Sequence, residues 1–185
     1  MIVAERQTMS VGRSGDASDR VTTITAALNQ VTEFTYDPAN GNLLTVKDPL
    51  NQVTTIGYND FGQPLSVQGP IATEPPTTFA YDVVSRLLSL TDPRGLVTQF
   101  RYDSLNRVTD IADARQGLTR FTYDPNGNLL SVTDAKHQTT TYTYDNMDRL
   151  KTCTDAPNRQ ESYQHHTTGR RTALTSLDGA GTCYA

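Results

Sequence analysis

Along most of this chain, apolar and polar residues alternate in short runs. Thr119, Phe121 and Tyr123 are interleaved with Arg120, Thr122 and Asp124. That period of two is the signature of a strand with one buried and one wet face. The same triplet recurs as Thr32, Phe34, Tyr36; Thr54, Ile56, Tyr58; Thr77, Phe79, Tyr81; Thr98, Phe100, Tyr102; and Thr140, Tyr142, Tyr144. Four of the five Phe residues, Phe34, Phe79, Phe100 and Phe121, occupy the one middle slot, so the slot is selected for an aromatic ring. A second apolar column follows each Tyr by nine residues, or ten where the turn is longer: Ile24, Val46, Val67, Leu90, Ile111, Val132, Cys153 and Leu174. Two residues before it stand Leu44, Leu65, Leu88 and Leu130, with Thr109 and Lys151 as exceptions. This reads as a second strand on the same alternation.

Laid over itself, the chain shows a repeat. Tyr36-Asp37, Tyr58-Asn59, Tyr81-Asp82, Tyr102-Asp103, Tyr123-Asp124 and Tyr144-Asp145 follow one another at steps of 22, 23, 21, 21 and 21 residues. The same step leads forward to His165-His166 and back to Gly15-Asp16, giving eight slots of which the first and last are degenerate. The longer steps arise at Pro38-Ala39-Asn40-Gly41, one residue longer than Pro125-Asn126-Gly127, and at a Pro-rich insertion over residues 68–76. Insertions therefore fall in loops. The organisation expected is a lead-in over 1–14, a repeat array over 15–176 and an off-pattern tail over 177–185.

Between the two strands of a unit, the fourth residue past the Tyr slot is Asp19, Gly62, Ser85, Asn106, Gly127, Asp148 or Gly169. Nearly all of these accept a positive φ or bond their own backbone, as the end of a hairpin loop requires. The Asp that follows Tyr can open the turn with its side chain. A second turn closes the unit at Asp48-Pro49-Leu50-Asn51, Asp92-Pro93-Arg94-Gly95, Asp113-Ala114-Arg115-Gln116-Gly117 and Asp134-Ala135-Lys136-His137. The predicted fold class is all-β, with tandem hairpins of about 21 residues forming a curled antiparallel sheet of roughly fifteen strands, more than an open sheet usually carries flat. A lone hairpin buries too little apolar surface to fold, so neighbours must pair edge to edge and line the columns into stripes. No helix is predicted to cover the aromatic face. Exposed edges and an uncovered face favour self-association.

Composition narrows the function. The formal charge is −4, and no basic stripe overrides it, which argues against a nucleic-acid partner. No apolar stretch is long enough for a membrane span, and the first residues do not form a secretory signal. With two cysteines, Cys153 and Cys183, there is no disulfide framework; Cys153 reads as a small apolar filler, and whether the two pair stays open. His165 and His166 are neighbours on a strand and point to opposite faces, so they do not chelate one metal, and His137 stands alone in a turn. The carboxylates recur at turn positions and lack the dense oxygen cluster of a calcium site. No nucleophile elbow, phosphate loop or zinc spacing is present, so no catalytic residue, cofactor or metal is assigned. The Tyr stripe or the turns could take carbohydrate or a surface protein.

The pattern resembles the Rhs/YD-repeat family, whose units read approximately Gly-x-x-Thr-x-Phe-x-Tyr-Asp-x-x-Gly-Arg-Leu-x-x-Val-Thr-Asp. Residues Gly95 to Thr109 and Leu118 to Asp134 follow it closely, and the match extends over about residues 15 to 176. The resemblance implies a non-enzymatic segment of a shell that, in bacterial polymorphic toxins and insecticidal toxin complexes, encloses a C-terminal toxin domain. It implies secretion or display at a cell surface, and partners in the rest of a larger shell protein or a toxin domain. The chain is too short to close such a shell, and neither the self-cleaving segment nor a toxin domain is visible, so a fragment is expected. The residues that define the repeat are Tyr36, Asp37, Tyr58, Asn59, Tyr81, Asp82, Tyr102, Asp103, Tyr123, Asp124, Tyr144 and Asp145, with Phe34, Phe79, Phe100 and Phe121.

Overall fold

The computed structural model describes residues 12–156, 158–166 and 171–176, the last six and residues 12–13 as backbone only. The described residues are all-β but for a single 3-10 turn, Ala27–Asn29. The strands are β1 (Gly12–Gly15), β2 (Val21–Thr25), β3 (Val31–Tyr36), β4 (Leu43–Lys47), β5 (Val53–Tyr58), β6 (Pro64–Gln68), β7 (Thr77–Tyr81), β8 (Leu87–Thr91), β9 (Val97–Tyr102), β10 (Val108–Ala112), β11 (Leu118–Tyr123), β12 (Leu129–Thr133), β13 (Thr139–Tyr144), β14 (Leu150–Thr154), β15 (Gln160–His165) and β16 (Arg171–Ser176). No helix among the described residues is long and apolar enough to cross a membrane. The chain divides into two compact units, residues 1–80 with 90–96, and residues 81–89 with 97–185.

In each unit, sheet neighbours are chain neighbours, and every pair is antiparallel. In the first, β1 to β7 pair in sequence; in the second, β9 to β16 do so. The register sets the two apolar columns against each other: Phe34 pairs with Val46, Ile56 with Val67, Phe100 with Ile111, Phe121 with Val132 and Tyr142 with Cys153. The next strand continues each row with a threonine, as at Val46 and Thr54 or Val132 and Thr140. Aromatic, aliphatic and β-branched pairs of this kind are the main source of cross-strand stabilisation.

On the opposite face the rows are hydroxyls. Thr35 and Thr45, Thr122 and Ser131, and Thr143 and Thr152 each bring their Oγ atoms to 2.6 Å. One layer has no interior, and among the described residues only Tyr142 (5% exposed), Cys153 (0%) and Glu161 (8%) are buried. The Phe slot is elsewhere half-buried. Cys153 is disulfide-bonded, which corrects its reading as an apolar filler; Cys183 lies outside the described residues.

The structure revises the Leu column. In every Tyr-Asp hairpin with a resolved register, one residue is skipped just after the turn: Tyr123 pairs with Leu129 and Thr122 with Ser131, leaving Leu130 as the extra residue of a bulge. Leu44, Leu65, Thr109 and Lys151 occupy the same place. The extra residue of a bulge has no partner across the ladder, and Leu65 and Leu130 are 42% and 38% exposed. Polar Thr109 and Lys151 are thus tolerated there. The column is a row of bulges and does not continue the regular alternation.

Gly57 occupies the hydroxyl row at the place of Thr122 and Thr143, opposite Ser66. A Cβ there would fall 2.7 Å from Ser66 Oγ, the end of a side chain that can rotate. Gly57→Thr is therefore expected to raise stability by about 0.5–1 kcal/mol, by recreating the paired hydroxyls and removing a strand glycine. Thermal unfolding followed by circular dichroism checks this, and a lower midpoint would contradict the register-based reading.

Candidate functional site

Most of the turns among the described residues are built on one carboxylate or amide. Asp103 Oδ1 accepts from the N–H of Leu105 (2.9 Å) and of Arg107 (3.0 Å), while Asp103 N–H donates to the Arg107 carbonyl and Asn106 N–H to the Asp103 carbonyl. Asp48, Asn59, Asp82, Asp92, Asp113, Asp134 and Asp145 repeat the side-chain pattern. The result is a three-residue loop closed by a residue with φ > 0, the usual partner of a hairpin bulge. Positive φ occurs at Gly41, Gly62, Ser85, Asn106, Gly127 and Asp148 in the turns after Tyr, at Asp19 in the turn after the degenerate Gly15 slot, and at Asn51, Gly95, Gln116, His137 and Asn158 in the other turns. His137 thus serves as a turn residue, and Gly169 lies outside the described residues.

The Tyr hydroxyls form a ladder between repeats. Tyr36, Tyr58, Tyr102, Tyr123 and Tyr144 donate to the carbonyls of Val21, Leu43, Leu87, Val108 and Leu129, each at 2.8–2.9 Å and each fifteen residues upstream. The accepting residue opens the second strand of the preceding hairpin. His165, in the degenerate slot, makes the same bond, Nε2 to Leu150 O at 2.8 Å. Imidazole thus substitutes for phenol in the ladder. Tyr81 closes β7, and Phe79 lies two residues before it on the same strand.

Arginine supplies the second link, for which the sequence reading offered no role. Arg107 Nε donates to Asp103 Oδ2 at 2.7 Å, fixing its own turn. Its Nη1 donates to the Asp124 carbonyl of the next turn at 2.9 Å, and its guanidinium lies 4.6 Å from the Tyr123 ring centre. Arg20 and Arg86 do the same over Tyr36 and Tyr102, at 5.0 and 4.9 Å. Arg149 bonds Asp145 and the His166 carbonyl. A planar fork over a ring face combines cation–π attraction with directed hydrogen bonds, which lysine cannot reproduce. The available signal was the Arg at the fifth position past Tyr, at Arg86, Arg107 and Arg149.

These bonds act on the acids. Asp145 is held at about 2, first by the Arg149 side-chain hydrogen bond, against desolvation, and further by the N–H groups of Arg149 and Met147. Side-chain hydrogen bonds from Asn128 and Arg159 lead the lowering at Asp124 and Asp155, and the N–H groups of Arg86 and Arg107 lead it at Asp82 and Asp103. Burial raises the Tyr142 hydroxyl, and burial, then Tyr142 and Asp124, raise that of Tyr144. Among the described residues, no group of three or more His, Cys, Asp or Glu could hold a metal ion. The geometry makes the site one of mechanical linkage: a turn, a clamp and a ring, repeated.

An all-β array of antiparallel hairpins, joined repeat to repeat by tyrosine and arginine, is the class this defines. Residues 81–119 and 123–158 match the family model described as RHS Repeat, and the resemblance drawn from the sequence holds over these units. A comparison with the curated proteins finds no match. Among solved structures, the chain is similar to the crystal structure of TcdB2-TccC3-Cdc42 (TM-score 0.71, 16% identity, 89% of this chain and 11% of that one). It is similar to that of TcdB2-TccC3 (TM-score 0.71, 17% identity, again 89% and 11%). The Photorhabdus luminescens Tc holotoxin pore, carrying a TccC3 mutation, is a further neighbour (TM-score 0.60, 16% identity, 92% and 11%). At such identities the likeness is one of fold, and the chain spans about a tenth of those chains.

Because Asp82, Asp103, Asp124, Asp145 and Asp155 titrate lower in the folded chain than the ordinary 3.8, their contribution is fully present above that value and is lost as pH falls toward the lowered values, about 2 at Asp145. The thermal midpoint is expected to be flat above about pH 5 and to drop between about pH 4 and 2. Replacing Arg149 with Gln should shrink the drop. A midpoint unchanged down to pH 2 would contradict the role of the turn carboxylates.

Proposed function

We propose that this chain is a non-catalytic segment of a larger RHS-repeat shell that encloses or presents a toxin or effector domain lying outside the chain. The observation that carries the reading is where the side-chain chemistry is spent. The Tyr and Arg groups that recur in the repeats are bound to neighbouring repeats and the Asp carboxylates to their own turns, leaving a wall one layer thick with a half-buried aromatic face. Such a wall partitions space, and its length is set by the number of repeats. The RHS Repeat match and the fold shared with chains about eight times as long support the same reading. The repeat-defining residues act in it as fasteners: Tyr as the ladder, Asp or Asn as turn starters, Phe as the stripe.

The test uses the intact gene product, with whatever flanks this segment. The reading frame on either side is expected to continue Tyr-Asp units in the same phase, and limited proteolysis is expected to leave an enclosed domain uncut while the isolated domain is digested. Digestion of that domain at the rate of its free form would overturn enclosure. A glycan array bound by the chain, with binding lost on Tyr102→Ala, would favour a carbohydrate-binding module instead.

A further inference from the structure

Three of the Tyr-Asp repeats lack the arginine, at Asn42, Gln63 and Asn128, and at the first a cavity stands in its place. Asn42 occupies the position of Arg86, Arg107 and Arg149, and a cavity of about 600 Å³ opens beside it, lined in part by Asp37, Asn40, Asn42, Tyr58, Asn59 and Phe61. At Arg20, Arg86 and Arg107 the guanidinium has three partners: the carboxylate of its own turn, the ring face of the next Tyr and the carbonyl of the next turn. Here the three are Asp37, Tyr58 and the Asn59 carbonyl. Among the described residues, Asp37 Oδ2 accepts only the Asn40 amide, at 3.0 Å, and no cation lies over the Tyr58 ring. Arg20 reaches the Asp37 carbonyl, at 3.4 Å, and stacks on Tyr36, so it belongs to the preceding position.

An internal comparison shows why this position is open. Asn128 also replaces arginine, but its amide bridges Asp124 (2.9 Å) and Asp148 (2.7 Å), and Asn126 joins Asp148 at 3.0 Å. The residue matching Asp148 is Gly62, which has no side chain to close the gap. Asn42 lies near it, with Oδ1 3.6 Å from where a Cβ would stand, and its backbone N–H bonds Asn40 instead. Phe61, 83% exposed, adds a second ring at the rim.

We propose that this cavity is a receptor for the arginine side chain of a partner polypeptide, which completes the position as Arg86 and Arg107 complete theirs from within the chain. A guanidinium meets there a carboxylate, an aromatic face and a free carbonyl lone pair, the set that recognises it three times over in the same molecule. The net charge of −4 favours a cationic partner.

The full chain is titrated with N-acetyl-arginine methylamide under two-dimensional NMR, with the citrulline analogue and N-acetylglucosamine as controls. Saturable shifts are expected at Asp37, Tyr58 and Asn59 with the arginine compound alone. Asp37→Asn keeps the turn, since Asn59 opens its own turn as an amide, and is expected to weaken binding about tenfold, a single charge-assisted bond's share. Asn42→Arg is expected to abolish binding by filling the cavity in cis and to raise the thermal midpoint by about 2–4 °C. Equal binding of citrulline, saturable binding of the sugar in its place, unchanged binding by Asn42→Arg, or no arginine binding at all would overturn the proposal.

Discussion

A sheet one layer thick cannot bury a side chain on both sides, so cohesion must come from links within the layer. The link that recurs is the arginine that holds its own turn with Nε and the next repeat with Nη1 and its flat face. It works because the turn Asp has already been fixed by two backbone N–H groups, and because the next Tyr is anchored by its hydroxyl fifteen residues upstream. Each component positions the next. The apolar stripe is half-covered at best, so these polar links set the spacing and register that let the stripe form.

The same arrangement explains the repeat's tolerances. Bulge positions accept Leu, Thr or Lys because they have no ladder partner. A histidine replaces tyrosine at position 165 because the ladder needs a donor at the end of a ring. Asparagine replaces arginine at position 128 because Asp148 supplies a second acceptor, and at position 42 it leaves a cavity. The unit is therefore specified by what each position must bond, more than by residue identity.

Much of this was legible in the sequence. The period of two, the 21-residue step and the Gly, Asn and Asp residues past each Tyr gave strands, pairing order and the left-handed turn residues. The bulge was not legible, because Leu44 and Leu130 carry the hydrophobicity of a core position while lying outside the ladder. Gln116 and Asn158 take positive φ in the second turns, one with no compositional mark and the other in a turn the pattern did not single out. The arginine clamp was visible as a recurring letter but not as a contact, since its partners are seventeen and sixteen residues away along the chain, at Asp124 and Tyr123 for Arg107. Spacing of that kind becomes meaningful only once the register is known.

The most direct measurement is a double-mutant cycle on Arg107→Gln and Tyr123→Leu, with stability read from denaturant unfolding. Coupled repeats predict that the double variant loses less than the sum of the singles, by about 0.5–1 kcal/mol or more. Strict additivity, with each substitution acting only within its own hairpin, would contradict the account.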